Sequence, residues 1–198
     1  MNLATPIKLE AKKVYSREEY LILEEKSEEK YEYHNGEIIK MTGGTTNHNI
    51  LALKMASILL SFLEDKDYQI YIGDVRLWIE EYNRYTYPDV MVIKGEAIYE
   101  GKGKNTVINP LLIVEILSNS TKDYDQNDKF DSYRTLATFQ EYILVDQYQY
   151  YVKQFKKTSQ NEWLLKDYRG ENSIIQLGSI ELDISLKELY KKVKFEQE

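Results

Sequence analysis

The seven residues Leu111–Leu117, LLIVEIL, constrain this chain more than any other stretch. Six are aliphatic, with Asn109-Pro110 before them and the polar run SNSTKDYDQND after them. A continuous apolar run of this length reads as a strand covered on both faces, so its sheet must carry other elements on each side. Glu115 stands in the middle of it. A carboxylate there is costly without a partner. It is either half of a structural ion pair, with Lys129 or Arg134, or a ligand for a cation. Buried ion pairs are poor stabilisers, so the cation reading has the stronger physical motive.

The residues after the strand bear on that choice. Asp125, Lys129 and Tyr133 are spaced i, i+4, i+8 and form one stripe on a helix expected to run to about Ala137. That helix starts only ten residues past Glu115, so it can lie back across the strand and bring Lys129 toward the carboxylate. Asp125 is a further candidate, although an acid in a first helical turn is favoured by the helix dipole anyway. Ser118 to Thr121 has the small polar residues of a phosphate-contacting loop, and equally those of an ordinary helix entry.

Upstream, Ser16 and Glu19 have capping-box spacing before a helix in REEYLILEEK. Asn35-Gly36 between YEYH and EIIKM predicts a type I′ hairpin. A helix follows to about Leu63, with Thr45, Thr46 or Asn47 as its cap. YQIYIGDVRLWIEE and YTYPDVMVI read as two strands joined as a hairpin, followed by a loop rich in glycine and lysine between Lys94 and Lys104. After EYILVD, the segments YYVKQFKK, EWLLKDYR and SIIQL read as a meander, and SLKELYKK as a short closing helix. Helices alternating with apolar strands predict an α/β core with a mixed sheet covered on both faces. The 198 residues suit one domain, 1–198: a core at about 45–147, a helix and hairpin at 14–44, and the meander at 148–190.

Composition narrows the chemistry. There is no cysteine and there are only two histidines, which disfavours zinc and thiolate chemistry and points any metal toward oxygen ligands. The missing cysteines, the absence of a signal-peptide pattern and the lack of any roughly 18-residue apolar run predict a cytoplasmic protein with no membrane span. The formal net charge of −7 argues against non-specific coating of nucleic acid, though a local basic surface can coexist with an acidic site.

Strand periodicity then supplies Glu115 with a companion. In YPDVMVI, Asp89 shares a face with Met91 and Ile93; in LLIVEIL, Glu115 shares one with Ile113 and Leu117. If the two strands are neighbours in the right register, the carboxylates meet at one end of the sheet. Like charges so placed repel, and a divalent cation with retained waters resolves the cost. Lys129 would orient or deprotonate a water and stabilise charge on a phosphate. His48, at a helix start, is a candidate phosphate contact or a packing residue. Glu32 is a candidate neighbour of the same site, and Glu37, beside the turn, reads as structural.

Pro88-Asp89 followed by Glu115 resembles the PD-(D/E)XK phosphodiesterase superfamily. The segments YSREEYLIL, YEYHNGEIIKM, NHNILAL, GDVRL, YPDVMVI, LLIVEILSNST, DYDQNDKFDSY and FQEYILVD together are similar to the Uma-type family of restriction endonucleases, over roughly residues 14–190. The resemblance implies a restriction-endonuclease-like core, a mixed sheet flanked by helices, with an N-terminal hairpin and a C-terminal antiparallel meander. It implies a Mg²⁺- or Mn²⁺-dependent endonuclease acting on DNA. Asp89, Glu115 and the backbone carbonyl of Ile116 would hold the metal, and Lys129 would supply the basic role. The superfamily pattern puts lysine two residues after the acid, where this chain has Leu117. That departure leaves open a catalytically inactive binding or assembly module of the same fold. A hydrolase of other phosphate esters is a third reading. The family also suggests a homodimer, with the tyrosine-rich meander as a contact surface.

Overall fold

The computed structural model describes residues 14–118 and 125–195. Helix α1, Arg17–Lys26, is capped by the Ser16 and Glu19 box that the sequence predicts. Strands β1, Tyr31–His34, and β2, Glu37–Lys40, form the predicted hairpin. Asn35 and Gly36 both take positive φ, 47° and 105°, as a type I′ turn requires. Helix α2, Thr46–Leu63, takes Thr45 as its N-cap, the hydroxyl accepting from the His48 N–H.

The next two segments depart from the expected pair of unbroken strands. Tyr68–Ile72 (β3) and Arg76–Ile79 (β4) are separated by a turn at Gly73-Asp74. Arg84–Thr86 (β5) and Val90–Lys94 (β6) are separated by Tyr87-Pro88-Asp89. The pairing itself is the expected antiparallel one, β3 with β6 and β4 with β5. Both strands of this ribbon leave one sheet and enter another at the same level. Pro88 has no N–H to donate, so the ladder breaks there, and Gly73 bends the opposite strand at φ 26°.

The ribbon thus belongs to two sheets. Strand β7, Thr106–Val107, completes one of order β2-β1-β5-β4-β7. The hairpin is therefore built into a sheet rather than appended to the core. Tyr20 of α1 packs there on Tyr33 and Tyr85, ring centroids 5.2 Å apart in each case. The other sheet has order β11-β10-β9-β8-β6-β3, with β8 Leu112–Leu117, β9 Glu141–Asp146, β10 Tyr151–Lys157 and β11 Trp163–Arg169. Its β8–β9 pair is parallel and the others antiparallel, so the sheet is mixed as expected. The meander extends this central sheet.

One face packs on α2 through Leu51, Met55 and Leu59 against Val90, Val114 and Ile143. The other buries Met91, Ile113, Leu117, Tyr133, Phe139 and Tyr142. The helix expected to run to about Ala137 ends earlier: among the described residues a π-helical turn, Asp125–Lys129, leads into a single α-turn, α3, Phe130–Tyr133. Strands β12, Ile174–Leu177, and β13, Leu182–Ser185, form a separate hairpin ahead of α4, Leu186–Leu189. Buried Glu141 ties that hairpin to the central sheet: it accepts from the Ser179 hydroxyl at 2.6 Å, the Ser179 N–H at 3.0 Å and the Gly178 N–H at 3.2 Å.

Candidate functional site

The β6–β8 register pairs Val90 with Val114 and Met91 with Ile113, which sets Asp89 opposite Glu115. The Glu115 carboxylate lies on the sheet face toward the π-turn, and Asp89 also meets His48 of α2. They are coupled through the backbone. The Asp89 N–H donates to Glu115 Oε2 at 3.3 Å, and the Ile116 N–H donates to Asp89 Oδ2 at 2.7 Å. Asp89 is where the ribbon changes sheets, which frees its carboxylate from strand packing.

Lys129 comes back over Glu115, as the i, i+4, i+8 stripe predicts. Its Nζ donates to Glu115 Oε1 at 3.0 Å and lies 3.1 Å from Asp125 Oδ1 and 3.9 Å from Glu32 Oε1. The Asp125 contact is an ion pair without hydrogen-bond geometry. Tyr133, the third member of the stripe, donates its hydroxyl to the same Glu115 Oε1 at 2.8 Å. The π-turn is held in place by side chains from elsewhere. The Tyr142 hydroxyl donates to the Asp125 carbonyl at 3.0 Å, and Arg84 Nη1 donates to the Asp128 carbonyl at 3.2 Å. Turns of this kind are frequent at functional sites.

Glu32 reaches the cluster from β1. Its Oε1 accepts from the Thr86 hydroxyl, and its Oε2 lies 2.9 Å from His34 Nε2. His48, in the first turn of α2, sets Nε2 3.2 Å from Asp89 Oδ2. The structure therefore brings together Asp89, Glu115, Lys129, Asp125, Glu32 and His48, from five separate parts of the chain. Glu37, paired in register with His34 at the far end of the hairpin, is exposed and not among these contacts. Of the loop from Ser118 to Thr121, only Ser118 lies within the described residues. Sequence reasoning assigned no part to His34 or Thr86. Their signals are faint: His34 shares a strand face with Glu32, and Thr86 lies three residues before Asp89.

Electrostatics separates these groups. Burial pushes the Glu115 carboxyl up to about 8; Lys129 opposes this, while Asp89 and Asp125 reinforce it. Burial works against the Lys129 charge too, but Glu115 and the surrounding acids outweigh it and hold the amine well above its ordinary range. Glu32 goes the other way. Burial alone raises it, yet Lys129, His34 and Thr86 bring it down to about 2. His48 is raised, chiefly by its hydrogen bond to Asp89, against the effect of burial.

Among the described residues no set of three or more His, Asp or Glu side chains is arranged to hold a metal ion. The available donors are a carboxylate pair, each with one oxygen taken by the protein. Glu115 Oε1 accepts from Lys129 and Tyr133, and Asp89 Oδ2 from Ile116 with His48 beside it. That leaves Glu115 Oε2, with one long contact, and Asp89 Oδ1. Such a pair fits Mg²⁺, which keeps several waters and takes one or two carboxylates.

Residues 17–187 match the model of a family named Uma2 and described as "Putative restriction endonuclease". Two proteins of Synechocystis sp. are similar over nearly their whole length. "Uncharacterized protein sll1609" is 41% identical over 170 residues, 86% of this chain and 96% of that protein. "Uncharacterized protein slr1290" is 32% identical over 180 residues, 91% of this chain and 93% of that protein. A crystal structure from Anabaena variabilis, titled "a putative nuclease belonging to DUF820", superposes with a TM-score of 0.72. It covers 88% of this chain and 96% of its own at 20% identity, a likeness of fold. The fold is the restriction-endonuclease-like one, a mixed sheet flanked by helices.

Proposed function

The chain belongs to the Uma2 family, and from that premise we propose that it is a metal-dependent nuclease hydrolysing phosphodiester bonds in DNA. The observation that supports this best is Asp89 facing Glu115 across β6 and β8, with the Lys129 amine 3.0 Å from Glu115. In this reading Asp89 and Glu115 hold Mg²⁺ or Mn²⁺, joined by the Ile116 carbonyl. Bound there, the cation would supply Lewis-acid activation of water and neutralise charge on the phosphate.

The chain's own residues do the rest. The Ile116 N–H and His48 fix Asp89 Oδ2. Lys129 is held protonated, so it serves as a cation and proton donor beside the phosphate, not as the base that removes a proton from water. Leu117, at the superfamily's lysine position, is buried in the core, and Lys129 enters from the following helix in its place. Glu115, with Glu32 and Asp125 beside it, keeps that lysine charged.

Plasmid and branched DNA incubated with Mg²⁺ or Mn²⁺ test the reading. Wild type should cleave. Asp89→Ala and Glu115→Ala should lose about two orders of magnitude or more, the scale of removing preorganised charge stabilisation. Equal cleavage by all three overturns it.

The missing three-ligand set among the described residues favours a second reading, a nuclease-fold module that binds or assembles without cleaving. Mn²⁺ at about 100 times its dissociation constant should stabilise a true metal site by about 2.7 kcal/mol. A thermal shift that disappears in Asp89→Ala supports the nuclease; no shift in wild type supports the module.

A further inference from the structure

A cavity of about 490 Å³, within the range of small-molecule sites, opens beside the Glu32 end of the cluster. Its walls come from α1 (Leu21, Glu24, Glu25), from the bent ribbon (Asp74, Arg76, Tyr87) and from the glycine-lysine loop ahead of β7. The N–H of Tyr87 meets Glu32 Oε1 at 3.4 Å, and Asp89 follows two residues later, no more than about 7 Å along the chain.

Arg76 is only 7% exposed, and a buried arginine ordinarily has a bound counter-charge. Here the acids around the cavity pair elsewhere: Glu100 with Arg17, Asp74 with Lys30 and Glu29 with Lys40. The neighbours of Arg76 are neutral. Its Nε donates to the Thr106 hydroxyl at 3.1 Å, the Tyr20 hydroxyl lies in reach, and the rings of Tyr85 and Tyr20 stand 5.7 and 6.0 Å from its Cζ. Glu24 has the opposite surplus. It accepts from the Tyr87 hydroxyl and from the Tyr31 N–H at 3.1 Å, two donors for about four lone-pair sites. Burial raises its carboxyl, so further N–H donors would favour its charged form.

A fork of donors without an anion and a carboxylate with open acceptor sites thus line one cavity. Glu25 and Glu28 on the same lining repel a phosphate, so the fitting ligand is neutral, with acceptors on one edge and donors on the next. Guanine has that pattern: O6 and N7 accept, while N1–H and the N2 amine donate. Adenine would turn the lone pair of N1 toward the carboxylate. We propose that this cavity takes a guanine base, with Arg76 donating to O6 and N7 and Glu24 accepting from N1–H and the N2 amine. Base pairing hides N1–H, so the guanine bound is an unpaired one. The inference rests on DNA as the substrate in the nuclease reading and adds the base that is gripped.

The test reads binding apart from cleavage. Labelled oligothymidylates with one central dG, dA or dT are titrated with the full chain by fluorescence anisotropy, at low salt in EDTA. The dG strand should bind about tenfold tighter than the other two, the scale of a bidentate base contact. Glu24→Gln removes the charge, and Arg76→Lys removes the planar fork; each should bring the dG strand down to the dT level. Equal affinity for the three strands, no binding at all, or a dG preference that survives in either variant overturns the inference. Should the variants not fold, base analogues put the same question to wild type. 7-Deazaguanine lacks the N7 acceptor and hypoxanthine lacks the N2 amine, and each should lose most of the advantage of guanine. If both bind as guanine does, the pocket falls. Cleavage with Mg²⁺ by a chain that binds the three strands equally sinks the pocket and leaves the nuclease. Selective binding of dG by a chain that does not cleave keeps the pocket and sinks the nuclease.

Discussion

Lys129 is one amine set against three buried carboxylates, and its removal leaves all three without their main counter-charge. Lys129→Met keeps most of the stem and deletes the charge. Breaking a buried pair from one side costs about 3–5 kcal/mol, and Lys129→Met should lose that much in urea denaturation. A loss under about 1 kcal/mol, the scale of exposed pairs, would mean that water already compensates the acids. This part of the site was legible in the sequence because its chemistry was local. A glutamate inside an aliphatic run is an anomaly by itself, and the i, i+4, i+8 stripe follows within a few residues. The partners of Glu32 were not legible in that way. Thr86 is 54 positions away, and only strand pairing brings it into reach.

The strand breaks show the same limit one level up. Alternation runs through YQIYIGDVRLWIEE without a visible fault, so it reads as a single strand. The break comes from where the ribbon must go, and Gly73 and Pro88 merely permit it. The helix after Glu115 was overextended because its apolar spacing continues past Tyr133, whereas the backbone turns there to feed β9. The hairpin turn and the first cap, by contrast, were fixed by residue types with narrow conformational uses, while the second cap was narrowed only to Thr45, Thr46 or Asn47. Another element-scale contact went unseen: the Glu141 tie between the central sheet and the β12–β13 hairpin. Glu141→Ala leaves the Gly178 and Ser179 N–H groups without their acceptor, and should cost about 2–3 kcal/mol. Amide exchange should rise first across residues 174–185, and uniform acceleration along the whole chain would count against a local tie.

The molecule as a whole carries a formal charge of −7, and its acid stability has an identifiable source. Glu32 titrates at about 2 when folded, against an ordinary 4.5. The unfolded chain therefore takes up that proton at a higher pH. The contribution is complete above pH 4.5 and fades as pH falls toward 2, in total on the order of 3 kcal/mol. Urea midpoints measured across that window should fall more steeply for wild type than for Glu32→Gln, and parallel curves would remove Glu32 from the account. The described residues include no helix long and apolar enough to cross a membrane.

The shared ribbon has a consequence for recombining this protein with its relatives. Thr86 and Tyr87, which bind Glu32, and Asp89, which faces Glu115, lie within four consecutive residues, yet they serve two different sheets. A chimera joined anywhere between residues 86 and 89 would inherit the grip on Glu32 from one parent and the acid opposite Glu115 from the other. A crossover in the exposed turn at Ser159-Gln160 leaves that junction whole. For shuffling purposes the smallest exchangeable cassette is therefore the entire bent ribbon, residues 68–94, and neither sheet can be swapped as a module on its own.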